Sequence, residues 1–513
     1  MSNYLSMCQA LKDNVGFNDP SPIGSPDGSP FDAAKLRSVV NANKDKLSRS
    51  YRSDYAEPLA DAMPELVVKL KQTLEDRLRR GVPQEQALAE VTSFADTMVG
   101  AVSDAGAAQY ARALHRFEAV VSNFYRSFLS RGQRAQVSLP LIEAVPPLVT
   151  FAPMPDQGPF TLPADAVNEL IGVPIGVVSL PGSYREHPLI WPSLAHETGG
   201  HDVLHADPGL LDELAQAVQS RLPGGTGALW ASWIDETASD VYGLLNIGPA
   251  FAVSLAAFFS ALEVSDPRGP PQKLGTIHNI LPVAGNQLLD VHPVDILRLH
   301  VAMGVVSSLT ALNPATQHSW LTLLGELADE AAGGATTIEV LDVRQQAVVQ
   351  QLPLTVMAQA AKAVGRIVAT ERLTTLAGHS IQDIETWDDA DEAAAQTIRG
   401  AVAQGQPIVA LGDDAQLLAG TTMALLDDAG KYADITKSLD AALDDSFARD
   451  PIFGVAAPRF MFVRGLGGMR GIAYSRTPTP PTFPLSLEFL GMDMPEGPPA
   501  ARAAAGHRSR RSG

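Results

Sequence analysis

His196, Glu197 and His201 are the residues of this chain whose types and spacing could best do chemistry. They stand in His196-Glu197-Thr198-Gly199-Gly200-His201, an H-E-x-x-x-H run. Two imidazoles can hold a metal ion, and a carboxylate beside the first can take a proton from water. The spacing is one residue longer than the H-E-x-x-H pattern that places both histidines on one helical face. On a regular helix, positions five apart point about 140° away from each other and cannot reach one ion. The run therefore predicts a local π-type turn, which Gly199-Gly200 makes easier to form.

A catalytic zinc takes three protein ligands and leaves one position for water. With a single cysteine, Cys8, the site must be built from His, Asp and Glu. The segment Trp233-Ile234-Asp235-Glu236-Thr237-Ala238-Ser239-Asp240 offers Glu236 and Asp240 four residues apart, on one helical face. Glu236 reads as the third ligand. Asp240 reads as the carboxylate that accepts the other ring N–H of a ligand histidine. Two rival sets stay open. His201 and His205 are four apart and need no helix distortion, and Asp207 lies six residues after His201. Asp207-Pro208 also reads as the cap and first residue of a new helix, and His205 as a histidine near a helix C-terminus. With Glu197 as general base, the chemistry is hydrolysis of an amide, most naturally a peptide bond.

The segment 184–245 resembles the gluzincin zinc metallopeptidases. YREHPLIWPSLAHETGGH is similar to their helix with paired histidines, and WIDETASDVYGLLNIGPAF to their E-x-x-x-D glutamate helix and the G-P-A-[FY] run after it. The H-E-x-x-G-H spelling resembles dipeptidyl-peptidase-III-type enzymes, whose E-E-x-x-A-[ED] motif is approached by residues 235–240. The resemblance implies a zincin-like core, zinc on His196, His201 and Glu236, Glu197 as base, and a peptide or protein substrate. Asp290-Val291-His292-Pro293-Val294-Asp295-Ile296-Leu297-Arg298 looks like the His-Pro…Arg segment of several gluzincins. It implies that His292 or Arg298 touches substrate or the oxyanion, against a helix-start His-Pro with a surface Arg. Tyr242 is a further candidate oxyanion donor, against a buried core tyrosine.

The 513-residue chain has 45% hydrophobic residues and a net charge of −19. This describes a globular protein and argues against nucleic acid or an anionic membrane as partner. The N-terminus lacks a basic region followed by an apolar core, so no secretory signal is read and a cytoplasmic location is expected. Val241 to Leu262 is long enough for a bilayer, but Asn246, Gly248 and Pro249 read as a break between two buried helices.

The elements that must position these residues read as mainly α, an α+β class with a small β-sheet. A flexible lead-in is expected over 1–35, with Gly, Pro, Ser and Asp concentrated at 15–35. A helical region follows over 36–135, with Gly81 as a stop. A zincin-like core is expected over 136–315. It holds short strands within 138–180, a helix from Asp207-Pro208 to about Leu222, and another from about Gly227 to Asn246. A second helical region covers 316–452, with strands at Thr336–Val343 and Pro407–Leu411 and a solvated acidic segment at Asp383–Glu392. Residues 475–513 read as a disordered, mildly basic tail. Two other functions fit parts of this pattern: a catalytically inactive metalloprotease-like scaffold or interaction protein, and a helical non-haem iron oxygenase. Glu197 argues for hydrolysis, because an oxygenase needs no such base.

Overall fold

Apolar residues recurring at helical spacing form helices along most of the chain. A computed structural model describes residues 3–16, 30–47, 51–104, 111–129, 146–151, 159–261, 279–285 and 287–449. Within them the protein is mainly helical, with two small mixed sheets. Helix α1 (Asn3–Val15) buries Tyr4, Met7, Cys8, Leu11 and Val15, one apolar stripe. The Tyr4 hydroxyl shares a 2.7 Å hydrogen bond with Ser260. The first part of the expected flexible lead-in is therefore packed helix, and residues 17–29 lie outside the described residues. Helices α2 (Ala33–Asn43), α3 (Glu57–Arg79) and α4 (Gln84–Asp104) form a smaller core, and α3 stops where Gly81 takes φ +80°.

Helix α5 (Ala111–Leu129) is buried along most of its length. The expected sheet follows as β1 (Leu148–Thr150), β2 (Phe160–Leu162) and β3 (Val177–Ser179), in the order β1-β3-β2. β3 is parallel to β1 and antiparallel to β2. Alternate side chains divide its two faces: Leu148 and Val177 join the smaller core, Val149 and Val178 the larger one. Helix α6 (Ala164–Ile171) connects β2 to β3 and stops at Gly172, φ +74°.

The motif helix, His196–Val203, follows a 3₁₀ segment over Pro188–Leu194. The cap reading of Asp207-Pro208 is corrected. Asp207 is extended, Gly209 makes the turn at φ +87°, and α7 (Leu210–Arg221) starts only after it. The single helix expected over 227–246 is two, α8 (Gly224–Ser232) and α9 (Ile234–Ile247), parted at Trp233. The apolar run after Val241 divides as expected at Gly248-Pro249, with α10 (Ala250–Ala261) beyond it. No described helix is long and apolar enough to cross a membrane.

The second sheet has the order β5-β4-β6-β7, from β4 (Ile280–Ala284), β5 (Gln287–Leu288), β6 (Thr337–Asp342) and β7 (Ala347–Pro353). β6 lies within the expected strand. The region 407–411 is a turn instead, with Ala410 at φ +60° and only Ile408 buried. The remaining helices are α11 (Asp295–Val306), α12 (Pro314–Ala332), α13 (Leu354–Thr370), α14 (Ile381–Ile384), α15 (Asp389–Ala403), α16 (Asp414–Asp427) and α17 (Tyr432–Arg449), of which α13 packs on β6 and β7. The acidic segment 383–392 is not simply a solvated face. Asp383 with Ser380, and Asp388 with Asp391, form capping boxes. Buried Glu392 accepts from the indoles of Trp320 and Trp387. One core joins Tyr4 to Leu443. The tail expected from 475 lies outside the described residues.

Gly248 sits at φ +74°, and a methyl there would meet the buried Trp387 ring. Gly248→Ala is therefore expected to cost about 2–4 kcal/mol, strain and overpacking together, read as a lower urea midpoint with unchanged m-value.

Candidate metal centre

The motif helix is a π-helix over its whole length, His196–Val203. Its wider turn brings residues five apart onto one side. The Nε2 atoms of His196 and His201 lie 3.3 Å apart, with the rings nearly perpendicular at 88°. The turn predicted from the extra residue is present.

Glu236 comes to this pair from α9. Its Oε2 is 2.9 Å from His196 Nε2 and its Oε1 3.5 Å from His201 Nε2. Ligands on a tetrahedral ion with bonds of about 2.0–2.1 Å stand about 3.3–3.4 Å apart, so these separations suit one ion. Glu236 Oε2 is buried and accepts no hydrogen bond. A buried carboxylate oxygen without a donor is costly unless a cation meets it. His196, His201 and Glu236 thus form a candidate metal-binding group.

The two helices meet at this group because Gly200 has no side chain. A Cβ there would collide with the side chain and backbone of Ser239 on α9. The glycines allow more than the π-turn: Gly200 also sets how closely the histidine helix approaches the glutamate helix.

Each ligand histidine is oriented through its other nitrogen. His196 Nδ1 donates to Asp240 Oδ1 at 2.9 Å, as expected. His201 Nδ1 donates to Asp235 Oδ1 at 3.0 Å. Both rings therefore present Nε2 to the ion position. Asp240 is 4% exposed and is held in turn by Arg298, whose Nε and Nη2 donate at 2.7 and 2.6 Å. Burial favours the neutral acid, but Arg298 and His196 hold the Asp240 carboxyl down at about 2.

Arg298 is thus not a surface residue. It is 5% exposed, is spent on Asp240, and lies over the Phe259 ring at 4.8 Å. Of the two readings of Tyr242, the buried core tyrosine is the one observed. Its hydroxyl donates to the Phe124 carbonyl at 2.7 Å and meets Ser127 at 2.8 Å inside the core. His292 does reach the site. Its Nε2 is 3.3 Å from Glu236 Oε1, its Nδ1 donates to Asp290 Oδ1 at 2.6 Å, and its side chain is 48% exposed.

Glu197 is partly buried beside β2, where Thr161 Oγ1 donates to its carbonyl at 2.9 Å and lies 3.4 Å from its Oε2. Asp202, one residue past the second histidine, anchors the motif helix from behind. It accepts from Tyr125 Oη and, at 2.8 Å, from the Ala164 amide that opens α6. The rival ligands separate. His205 stands close to His201 and Asp235, whereas Asp207 belongs to neither group of converging donors.

Asp235, Asp290 and the Gly200–Ser239 contact were not assigned from sequence. The two aspartates carry a signal in hindsight, since each lies within two residues of a site residue. The helix contact leaves none in a single chain. Comparison with protein-family models, characterised proteins and solved structures gives no match to this chain.

Two substitutions test the geometry. Gly200→Ala should abolish stoichiometric metal binding, by atomic emission on dialysed protein, while retaining helical circular dichroism. Asp235→Asn should weaken metal affinity by about 10–100-fold, as loss of an orienting carboxylate does elsewhere. Unchanged affinity in both would remove these roles.

Proposed function

We propose that the protein is a zinc-dependent metallopeptidase that hydrolyses peptide bonds with Glu197 as general base. The carrying observation is the π-turn that places the imidazole nitrogens of His196 and His201 3.3 Å apart against the buried Glu236 carboxylate. Each glycine costs about 1 kcal/mol against alanine in a helix, which the close approach of the two helices at Gly200 offsets. The widened turn makes sense as the means of closing a ligand set. Two nitrogens and one carboxylate suit zinc, and zinc bound there would supply Lewis acidity and lower the pKa of a water.

The chain's own groups divide the remaining work. Glu197 directly follows the first ligand on the motif helix. It takes a proton from the attacking water on its carboxylate and returns it to the leaving amine. His292, carried on the loop after β5 and anchored to Asp290, donates from Nε2 to the oxygen that gains charge when the carbonyl becomes tetrahedral. β2 is paired with β3 on one side, and among the described residues no strand pairs with its other edge. Thr161 ties that strand to Glu197, so an extended peptide adding to β2 would pass beside the base.

Digestion of a peptide library tests the reading. Wild-type protein should produce cleavages that Glu197→Gln lacks, with equal metal content in both. His196→Ala and Glu236→Ala should lose metal and activity together. Cleavage at equal rates in wild type and Glu197→Gln would overturn it.

The role of His292 has its own signature. Burial lowers its pKa, but Asp290 and the charge of Glu236 raise it more, so the net shift is upward. A donor raised in this way is active below its pKa and lost as pH rises through it. Asp290→Asn should therefore move the alkaline fall of kcat/KM to lower pH, leaving metal content unchanged.

A further inference from the structure

A second group of converging donors lies on the far side of His201. His201, His205 and Asp235 each offer one donor atom within 4.8 Å of the other two. Asp235 Oδ1 is 3.0 Å from the first nitrogen and 3.2 Å from the second. These separations approach those of ligands around one tetrahedral ion, about 3.3–3.4 Å. His205 is oriented in the same way as the ligand histidines of the first group. Its Nδ1 meets Asp165 Oδ2 at 3.2 Å, which turns Nε2 towards Asp235.

The charged neighbours of the two groups differ. At the first group, Asp240 is neutralised by Arg298. Asp165 and Asp235 have no such partner: among the described residues, their only ion-pair contacts are the imidazoles of His201 and His205. The side chains are partly open, at 17% for His201, 21% for His205 and 45% for Asp235, so a hydrated ion can enter without unfolding the site.

We propose a second, weaker site for a divalent transition-metal ion such as zinc, formed by His205 Nε2, Asp235 Oδ1 and His201 Nδ1, with Asp165 orienting His205. Nitrogen and carboxylate donors in this ratio select zinc, cobalt or nickel over calcium or magnesium. An ion held there would displace the Nδ1 proton of His201 to solvent, so that the ring would serve both sites. Losing that proton makes the second equivalent bind less tightly than the first. A His201 ring that serves both sites would be a more basic ligand to an ion at the first and would lower its Lewis acidity, so filling the second site should slow hydrolysis. Only this inhibitory consequence rests on the function proposed above; the binding itself does not.

Equilibrium dialysis of the full chain against zinc at neutral pH tests the site, with cobalt(II) absorption as a second readout. Wild type should take up two equivalents, the second at least about tenfold weaker. His205→Ala and the more conservative His205→Gln should keep the tight equivalent and lose the weak one. In these variants, inhibition by excess zinc should move to about tenfold higher concentration or beyond. His196→Ala should lose the tight equivalent and keep the weak one. A single equivalent in wild type that His196→Ala removes would overturn the second site and leave the first standing. A single equivalent that survives His196→Ala but not His205→Ala would overturn the first centre and keep this one. A second equivalent unchanged in both His205 variants would also overturn the proposal.

Discussion

The place where Gly200 lies against Ser239 determines what else this structure can do. Ligands from two helices can share one ion only if the helix backbones come close enough for short side chains to meet. A methyl at position 200 would occupy the space already filled by Ser239. The π-turn needs the same neighbourhood, because a widened turn must fit its extra residue somewhere. The extra residue faces α9, where the absence of a side chain allows both close approach and alignment. The β2 strand, the Asp202 anchor and α6 hold the other side of the motif helix against that contact.

Charge around the centre is layered. Nearest the ion position are two neutral-capable imidazoles and one carboxylate. Behind them stand Asp235 and Asp240, and behind Asp240 stands Arg298, which is as buried as its partner. A buried ion pair of this kind adds little net stability by itself, since desolvation offsets attraction. Its value here is directional. The paired donation of Arg298 fixes both oxygens of Asp240, Asp240 fixes the plane of His196, and that plane aims Nε2. On the open side, with His205 and His292, no arginine pairs with Asp165, Asp235 or Asp290 among the described residues, and the side chains are more exposed.

Much of this arrangement could be read from residue order. The six-residue run announces both the ligands and the need for a wide turn, because helical geometry makes any other outcome useless. Glu236 and Asp240 follow from their spacing, and the break at Gly248-Pro249 follows from turn chemistry. What could not be read depends on contacts between distant segments. Arg298 could be read as a surface residue because its partner lies 58 positions away. Tyr242 is claimed by the Phe124 carbonyl, which no local pattern reveals. β7 escaped notice because its Val and Gln residues sit at a half-exposed edge and make no clean alternation. The turn at 407–411 was mistaken for a strand because a short apolar run has no period of its own.

The approach to the motif helix is held from far along the chain. His187 Nδ1 lies 3.0 Å from the hydroxyl of Tyr432, the first residue of α17, and buried Arg116 on α5 pairs with Asp440 and Asp444 of the same helix. At the other end, α1 rests on α10 through Tyr4 and Ser260. During synthesis, loops of more than two hundred residues must close before these contacts exist, and such closures are slow. A ribosome-bound chain that has emitted the histidine and glutamate helices still lacks the helix that braces their entrance. The order of translation thus separates synthesis of the histidine and glutamate helices from the docking of α17 on the segment before them.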